Sequence, residues 1–435
     1  MFIFALKTSK KLIKMNKKHI LSLCLLGISL TSFSQVVTTI QVSNPTKTAL
    51  TAQPVTMDLG QQATIVRSAL VTLDGQEVPC QLDDLNGDGR FDELFFLTDL
   101  KAKQSRTFTI QLFSEGTPRP YEPQVYAEML LSNKKIKEEN KQDLYISSLT
   151  VERGTNPYWQ LHHHGPAFEN RLVAYRIYFD HRQTVDIYGK YHQGLELHDT
   201  QFYPDSLQKA TGYGDDVLWV GSTLGLGTLR GWNGTEPVML DDVNRRTLRI
   251  LAYGPLRTIV EVIDDGWNAP SALIHQTSNI IHHTSPLTMT TRYTLTAGRR
   301  DCMVDVLFNR PAADREFCTG IINVKQSLEF SDHNGLRGCW GTDWPVSAKD
   351  SAGHKRETVG LGICLPRQNV VQELPKDKRN YPFVVATQTD ALHYAITFSS
   401  DNEDFGYHSA DAWFAYLQEW KQQLAARAAV IVTQK

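Results

Sequence analysis

What most limits the fold of this chain is a recurring beat of short β-type runs with almost nothing helical between them. Runs rich in Val, Ile, Thr, Tyr and Phe occur at 106–113, 172–179, 248–263, 287–295 and 303–308. Gly, Pro, Asn and Asp separate them, which is the pattern of strands joined by turns. Two stretches alone read as helical. Residues 133–142 are charged and suit a surface helix or loop. Residues 410–428 place Trp413, Leu417, Trp420 and Leu424 at three- and four-residue spacing, the stripe of an amphipathic helix laid on a sheet. A long run of antiparallel strands closes into a sandwich or barrel. The number and length of these strands predict an all-β, many-stranded sandwich with a C-terminal helix.

The turn-rich stretch 115–123, EGTPRPYEP, is the expected boundary. It divides a small N-terminal β region, 35–118, from a main β-sandwich domain, 119–435, that ends in the helix. Residues 1–34 are expected to be a signal peptide. From Met15, a basic segment leads into an apolar run at 20–30 and the small-residue signal Ser32-Phe33-Ser34, so cleavage is expected after Ser34. The apolar run is too short and wrongly flanked to span a membrane. Leu23 before Cys24 argues against lipidation. The expected location is the periplasm or beyond.

Export permits disulfides, but Cys80, Cys302, Cys318, Cys339 and Cys364 are odd in number and sparse. Buried free thiols are the simpler reading, and a Cys302–Cys318 or Cys339–Cys364 bridge is the alternative. A net charge of −2 and a pI near 6.7 argue against nucleic acid or an anionic membrane surface as the main partner. The glycine-rich segment 212–232 lacks GxGxxG in a strand-helix-strand context, which excludes a nucleotide site. No organic cofactor is expected.

Residues 84–93, DLNGDGRFDE, set oxygen side chains at Asp84, Asn86, Asp88 and Asp92, with Gly89 at the sixth position. Short chains wrap Ca²⁺ this way, with alternate carboxylates turned inward and glycine allowing the sharp bend. Phe95 stands where a full EF-hand has its bidentate Glu. The loop is closer to the short DxNxDGxxD turns between strands, where a bound Ca²⁺ is structural. An ion-free Asn-Gly/Asp-Gly hairpin turn is the alternative.

Residues 161–190, LHHHGPAFENRLVAYRIYFDHRQTVDIYGK, concentrate ionisable groups. Read as strands over 172–180 and 184–191, alternation puts Val173, Tyr175, Ile177 and Phe179 on one face. Ala174, Arg176, Tyr178 and Asp180 take the other. The apolar faces of the two strands must coincide. A three-residue loop, His181-Arg182-Gln183, satisfies this. It predicts Tyr178 opposite Asp186, Arg176 opposite Tyr188 and Ala174 opposite Lys190. The polar face suits a sugar acid, with Arg176 or Lys190 holding a carboxylate. A solvated outer face with cross-strand ion pairs is the alternative. His162 to His164, Glu169 and Asn170 sit on the loop that feeds this face. Neighbouring histidines on a strand point apart, so a catalytic or sugar-binding His fits better than a zinc ligand.

Asp215 and Asp216 precede a strand-like run whose small residues allow close approach. Trp219, Trp232, Trp267, Trp340 and Trp344 are sugar-stacking platforms or core residues, and Trp340 with Trp344 is the expected exposed pair.

Four segments together resemble DUF4861, a domain-of-unknown-function family of exported bacterial proteins. They are QLDDLNGDGRFDELFFLTDL (81–100), HGPAFENRLVAYRIYFD (164–180), VDIYGK (185–190) and DVLWVGSTLGLG (216–227). The resemblance covers most of the mature chain. It implies a large antiparallel β-supersandwich like that of galactose mutarotases and several polysaccharide lyases. It also implies a setting beside enzymes that degrade pectin and other uronate polysaccharides. The matching positions are His164, Gly165, Pro166, Glu169, Asn170, Tyr175, Arg176, Asp180, Asp186, Tyr188, Lys190 and Asp216. Members often carry a Gly-Trp-rich segment before the terminal helix, where this chain reads DFGYHSADAW, and a Trp near GYGDD that is absent here. Both departures bear on a cleft rim.

Three functions compete. A lyase on a uronic-acid glycan needs charge stabilisation, a base and an acid. Here Arg176 or Lys190 with Asn170 would stabilise, His164 would be the base, and Tyr178 or Tyr188 the acid. Glu169, Asp186, Asp216 and Trp340 complete the expected substrate contacts. A glycoside hydrolase needs two carboxylates about 5 to 9.5 Å apart, and Glu169 with Asp186 or Asp216 would supply them. A non-catalytic glycan-binding or mutarotase-like accessory protein is the third. In each the partner is an oligo- or polysaccharide.

Overall fold

Strand alternation sorts side chains into faces throughout the chain. In Ser105–Phe113, for example, Phe108, Ile110 and Leu112 are buried while Thr107 and Thr109 turn outward. The computed structural model describes residues 35–62, 64–132, 144–270, 286–347, 349–426 and 428–434. The expected signal segment 1–34 and the charged stretch 133–142 lie outside the described residues.

The N-terminal unit packs two sheets. One runs in the order Ala429–Gln434, Gln35–Ser43, Ser105–Phe113, Ser68–Leu73, Gln76–Val78. The other runs Leu50–Asp58, Glu93–Leu100, Cys80–Asp83. Ile40, Val42, Val71, Phe96 and Ile110 fill the space between. The chain therefore does not end at its helix. A last strand returns to pair antiparallel with Gln35–Ser43.

The loop of residues 84–92 joins the strands of the smaller sheet. Its oxygens are turned onto its own backbone. Asp84 accepts from Gly87 N (2.7 Å) and Gly89 N (2.8 Å), Asn86 from Asp88 N (2.8 Å), Asp88 from Arg90 N (2.9 Å), and Asp92 from Leu85 N (2.6 Å). This set closes the turn whether or not an ion is bound.

The main unit is a β-supersandwich. A nine-stranded antiparallel sheet runs Ser148–Glu152, Arg245–Tyr253, Arg257–Trp267, Leu287–Thr296, Asp301–Phe308, Ala391–Ser400, Glu357–Cys364, Leu336–Asp343, Leu328–Ser331. The predicted run 248–263 is thus two strands joined by a tight turn. Two five-stranded sheets cover one face. The first runs Asp215–Asp216, Val185–Gly189, Ala174–Ile177, Ala167–Asn170, Val125–Glu128, and the second Pro237–Val238, Arg230–Trp232, Phe317–Ile322, Asn380–Val385, Val370–Glu373. Phe168, Tyr175, Ile187, Phe317 and Phe383 meet Val260, Tyr293, Val304 and Phe398 in one continuous core.

The helix Ala410–Ala425 lies on the outer face of the nine-stranded sheet, where Trp413, Leu417 and Trp420 are buried. Ser409 caps it by accepting from Ala412 N. The sheet leaves room with glycines, since a Cβ on Gly338 or Gly362 would stand 2.2 or 2.4 Å from Leu417. Trp340, expected on an exposed rim, is instead half-buried in this helix contact. Cys80, Cys302, Cys318, Cys339 and Cys364 are all free thiols. Among the described residues no helix is long and apolar enough to cross a membrane.

The two units meet at Arg257. Its guanidinium pairs with Asp83 (2.6 Å) and Glu93 (2.7 Å), and Gln81 accepts from Leu256 N and Arg257 N. A buried cation between two carboxylates fixes orientation as well as contact.

Candidate functional site

The hairpin that carries most of the predicted residues has the faces expected and a different register. Tyr175, Ile177, Val185 and Ile187 enter the core, and Arg176 and Asp186 share the opposite face. Arg176 pairs with Asp186 and Ala174 with Tyr188, two residues out of step with the three-residue loop. Tyr178 N donates to Thr184 O (3.1 Å), which leaves a five-residue loop, 179–183, while Phe179 N on the other edge donates to His164 O (2.9 Å). A shift of two preserves the faces, whereas a shift of one would exchange them.

The polar face is not solvated. Residues 191–214 fold over it, and Leu197 and Phe202 pack on Ala167, Ala174 and Tyr188. Beneath this cover several predicted site residues are sealed in. Lys190 Nζ donates to Glu169 Oε2 (2.5 Å) and to Asn170 O (2.7 Å). Glu169 Oε1 accepts from Glu196 N (2.8 Å) and Leu197 N (2.7 Å), which ties the cover to the sheet. Asn170 donates to Thr296 O and accepts from Leu172 N and Val173 N. Tyr188 O–H donates to Glu196 (2.8 Å). Glu169, Asn170, Tyr188 and Lys190 are all completely buried. They hold structure and cannot meet a glycan. His163 is sealed too, against Glu128 at 3.1 Å.

The remaining candidates form one cluster at the edge of the cover. Arg176 is its centre. Its Nη2 lies 2.7 Å from Asp186 Oδ2 and 2.7 Å from Asp216 Oδ2. Its Nη1 donates to Tyr203 Oη (2.6 Å), and its guanidinium stacks 4.1 Å from the Phe202 ring. Tyr178 Oη donates to Asp186 (3.1 Å). Asp186 is fully buried, whereas the Asp216 side chain keeps 16% of its surface exposed. The carboxylate that can reach a ligand is therefore Asp216.

His164 sits beside them in a left-handed conformation, φ +70°. Such backbone is rare outside glycine and marks a position held by its surroundings. Here those surroundings are specific. Its ring stacks on Tyr158 at 3.8 Å, and Nδ1 donates to Tyr158 O (3.0 Å). That assignment leaves the lone pair on Nε2. Gly165 next to it has no alternative, since a Cβ would fall 1.7 Å from Ile177 O. Arg182 covers the Tyr158 ring at 4.5 Å and pairs with Asp180 at 2.6 Å. Trp159 stands at the rim, edge-on to His164 at 5.3 Å and 70% exposed.

The electrostatics separate the two carboxyls. Burial pushes both upward. Arg176 draws both back down; Ile187 N–H and Tyr178 O–H lower Asp186 as well, whereas the Asp186 charge raises Asp216. Of the pair, Asp216 is raised the further. Burial lowers His164 to about 4, so its imidazole is neutral near pH 7. Burial also pushes Tyr203 up to about 12, so it remains a phenol.

Sequence reasoning missed Tyr158, Trp159, Arg182 and Tyr203. Trp159 had a signal, since Tyr158-Trp159 immediately precedes the His run. Tyr203 had none, because the cover brings it in. Trp219 is half-exposed, while Trp232 and Trp267 are buried. In the run after Asp216, a Cβ on Gly225 would fall 2.3 Å from Val185 O.

No curated protein matches the sequence. Among solved structures, the fold is similar to a protein in the glycosyl hydrolase family 38 from Enterococcus faecalis. Identity is 11% and the TM-score 0.47, over 91% of this chain and 47% of that one. It is also similar to an alpha-mannosidase from Enterococcus faecalis V583, at 12% identity and TM-score 0.43, over 91% and 46%. This chain spans about half the length of those structures. Residues 42–430 match the family described as Domain of unknown function (DUF4861), and the chain belongs to that family.

Proposed function

We propose that this is an exported, carbohydrate-active enzyme of polysaccharide breakdown that cleaves a uronic-acid glycan by β-elimination at the Arg176 cluster. One observation carries the reading. Asp216 and Tyr203 both meet the buried Arg176, at 2.7 and 2.6 Å, and the His164 ring lies 6.4 Å from that of Tyr203. Arg176 is already paired with the Asp186 carboxylate and donates to Asp216 and Tyr203, so it does not take the substrate carboxylate as an ion pair. Asp216 and Tyr203 instead offer O–H donors, which spread enolate-like charge without adding a cation. His164 Nε2 accepts the proton α to the carboxylate, the C4–O bond breaks, and Tyr203 O–H protonates the departing oxygen. Trp159 offers an exposed ring for a sugar to stack on. The resemblance to proteins found beside pectin- and uronate-degrading enzymes supports a uronate substrate.

A second reading has its own observation. Asp186 and Asp216 share one nitrogen, each at 2.7 Å, which puts two carboxyls side by side, as a glycosidase requires. The full burial of Asp186 weighs against it. Incubation with polygalacturonate, rhamnogalacturonan and alginate separates the cases. Elimination yields ultraviolet absorbance with each new reducing end, whereas hydrolysis yields reducing ends alone. Glycan binding with neither signal would leave a non-catalytic accessory protein.

A further inference from the structure

Seven arginines are buried among the described residues. Arg176, Arg246, Arg257, Arg300 and Arg337 each hold a carboxylate within 2.7 Å, and Arg315 has Asp314 at 3.8 Å. Arg230 alone has none. It begins the strand Arg230–Trp232 of the second five-stranded sheet and is 1% exposed. Nη2 donates to Thr184 Oγ1 (3.1 Å) and Thr223 O (3.3 Å), while Nη1 is buried with no partner. A buried cation with an unused donor is costly unless an anion completes it. Burial draws even this guanidinium down to about 10.

Arg230 lines a cavity of about 320 Å³, the size of a small-ligand pocket. Lys378 and Arg379 are exposed at the same cavity. Arg379 is anchored there by donating to Ser222 O (2.7 Å). Asn380 also lines it, with Oδ1 committed to Leu224 N (2.7 Å), which leaves its amide N–H₂ to donate. Two acids belong to the lining. Asp377 Oδ1 accepts from Arg379 N and Asn380 N within its own turn, and Glu236 is exposed. Neither pairs with Arg230. The cavity shares no lining residue with the Arg176 cluster.

We propose that this cavity is a carboxylate-binding site. Arg230 Nη1 donates to the acid oxygen, and Lys378 and Arg379 draw the anion in at the mouth. A free carboxylic acid and a uronate sugar share this chemistry. The proposal stands apart from the elimination reading and does not need the Arg176 cluster to be active.

The test is calorimetric titration of the full chain with acetate, galacturonate and galactose. Galacturonate is expected to bind and galactose not. Acetate binding as well would identify the carboxylate alone as the determinant, and galacturonate alone a sugar-borne acid. Arg230→Met is expected to weaken binding by about tenfold or more, the scale of a lost charged hydrogen bond, and Arg379→Ala to weaken it less. Should Arg230→Met fail to fold, Arg230→Lys and Arg379→Ala carry the test. No binding of either carboxylate at millimolar concentration, equal binding of galactose, or unaltered binding in the Arg230 variants would overturn the proposal.

Discussion

One face of one sheet carries two charged clusters, and they have opposite characters. Around Lys190 a single cation meets a single carboxylate, and both are sealed and fully hydrogen-bonded. Around Arg176 one cation meets two carboxylates, one of them partly open to solvent beside an exposed Trp159. The first arrangement has no unsatisfied capacity and no access, so its contribution is to geometry. The second is over-supplied with acid, which forces one proton to stay, and it is reachable. Surplus charge at an accessible edge marks a functional site better than the density of ionisable residues does.

Breaking the sealed cluster should have the largest effect. Lys190→Met leaves Glu169 buried without its cation, and removal of one partner of such a pair costs about 3 to 5 kcal/mol. Urea denaturation should show that loss, and adding Glu169→Gln should recover most of it. A loss below about 1 kcal/mol would show that Lys190 is not the lock described here. Asp216→Asn should do the reverse. It removes a surplus acid, so stability should stay within about 1 kcal/mol. Product formation should fall by about a hundredfold or more, the scale of proton-transfer catalysis. Normal turnover in this variant would move the chemistry elsewhere.

The same contrast predicts the pH response. His164 is lowered to about 4, so the base is free above that pH and kcat/KM should fall as pH drops through about 4. Asp216 is raised, so its proton, and with it activity, is lost at the alkaline end. Asp216→Asn should retain the acid limb of whatever activity remains and lose the alkaline one. Stability follows separate signs. The lowered His164 means the unfolded chain binds its proton more readily, so that contribution is lost as pH falls from about 6.5 toward 4.

The faces of the hairpin were readable because Val173, Tyr175 and Ile177 alternate with polar residues, and burial enforces period two. The helix was readable for the same reason, since Trp413, Leu417 and Trp420 repeat at helical spacing. The register was not, because a shift of two residues keeps the same faces, and alternation alone does not distinguish a three-residue loop from the five-residue one at 179–183. The division of the polar face was hidden too. Lys190 and Arg176 look alike in sequence, and only the cover at 191–214 decides which is sealed. That segment also delivers Tyr203, whose partner Arg176 is remote in sequence. Trp340 misled because Gly338 on its strand and Gly362 on the next make room for the helix that covers it.

The smallest expected effect is at the rim, and it sharpens the contrast most directly. Trp159 is 70% exposed and meets the Tyr158 and His164 rings edge-on. Trp159→Ala therefore removes little packing, and denaturation midpoints should barely move. If the open cluster receives a sugar, the lost stacking surface should weaken glycan binding by about tenfold, near 1.4 kcal/mol. Titration of a pectic oligosaccharide into both proteins measures this. An exposed Trp whose removal changes neither stability nor affinity would be surface alone, and the open edge of the Arg176 cluster would then need another ligand to explain its surplus acid.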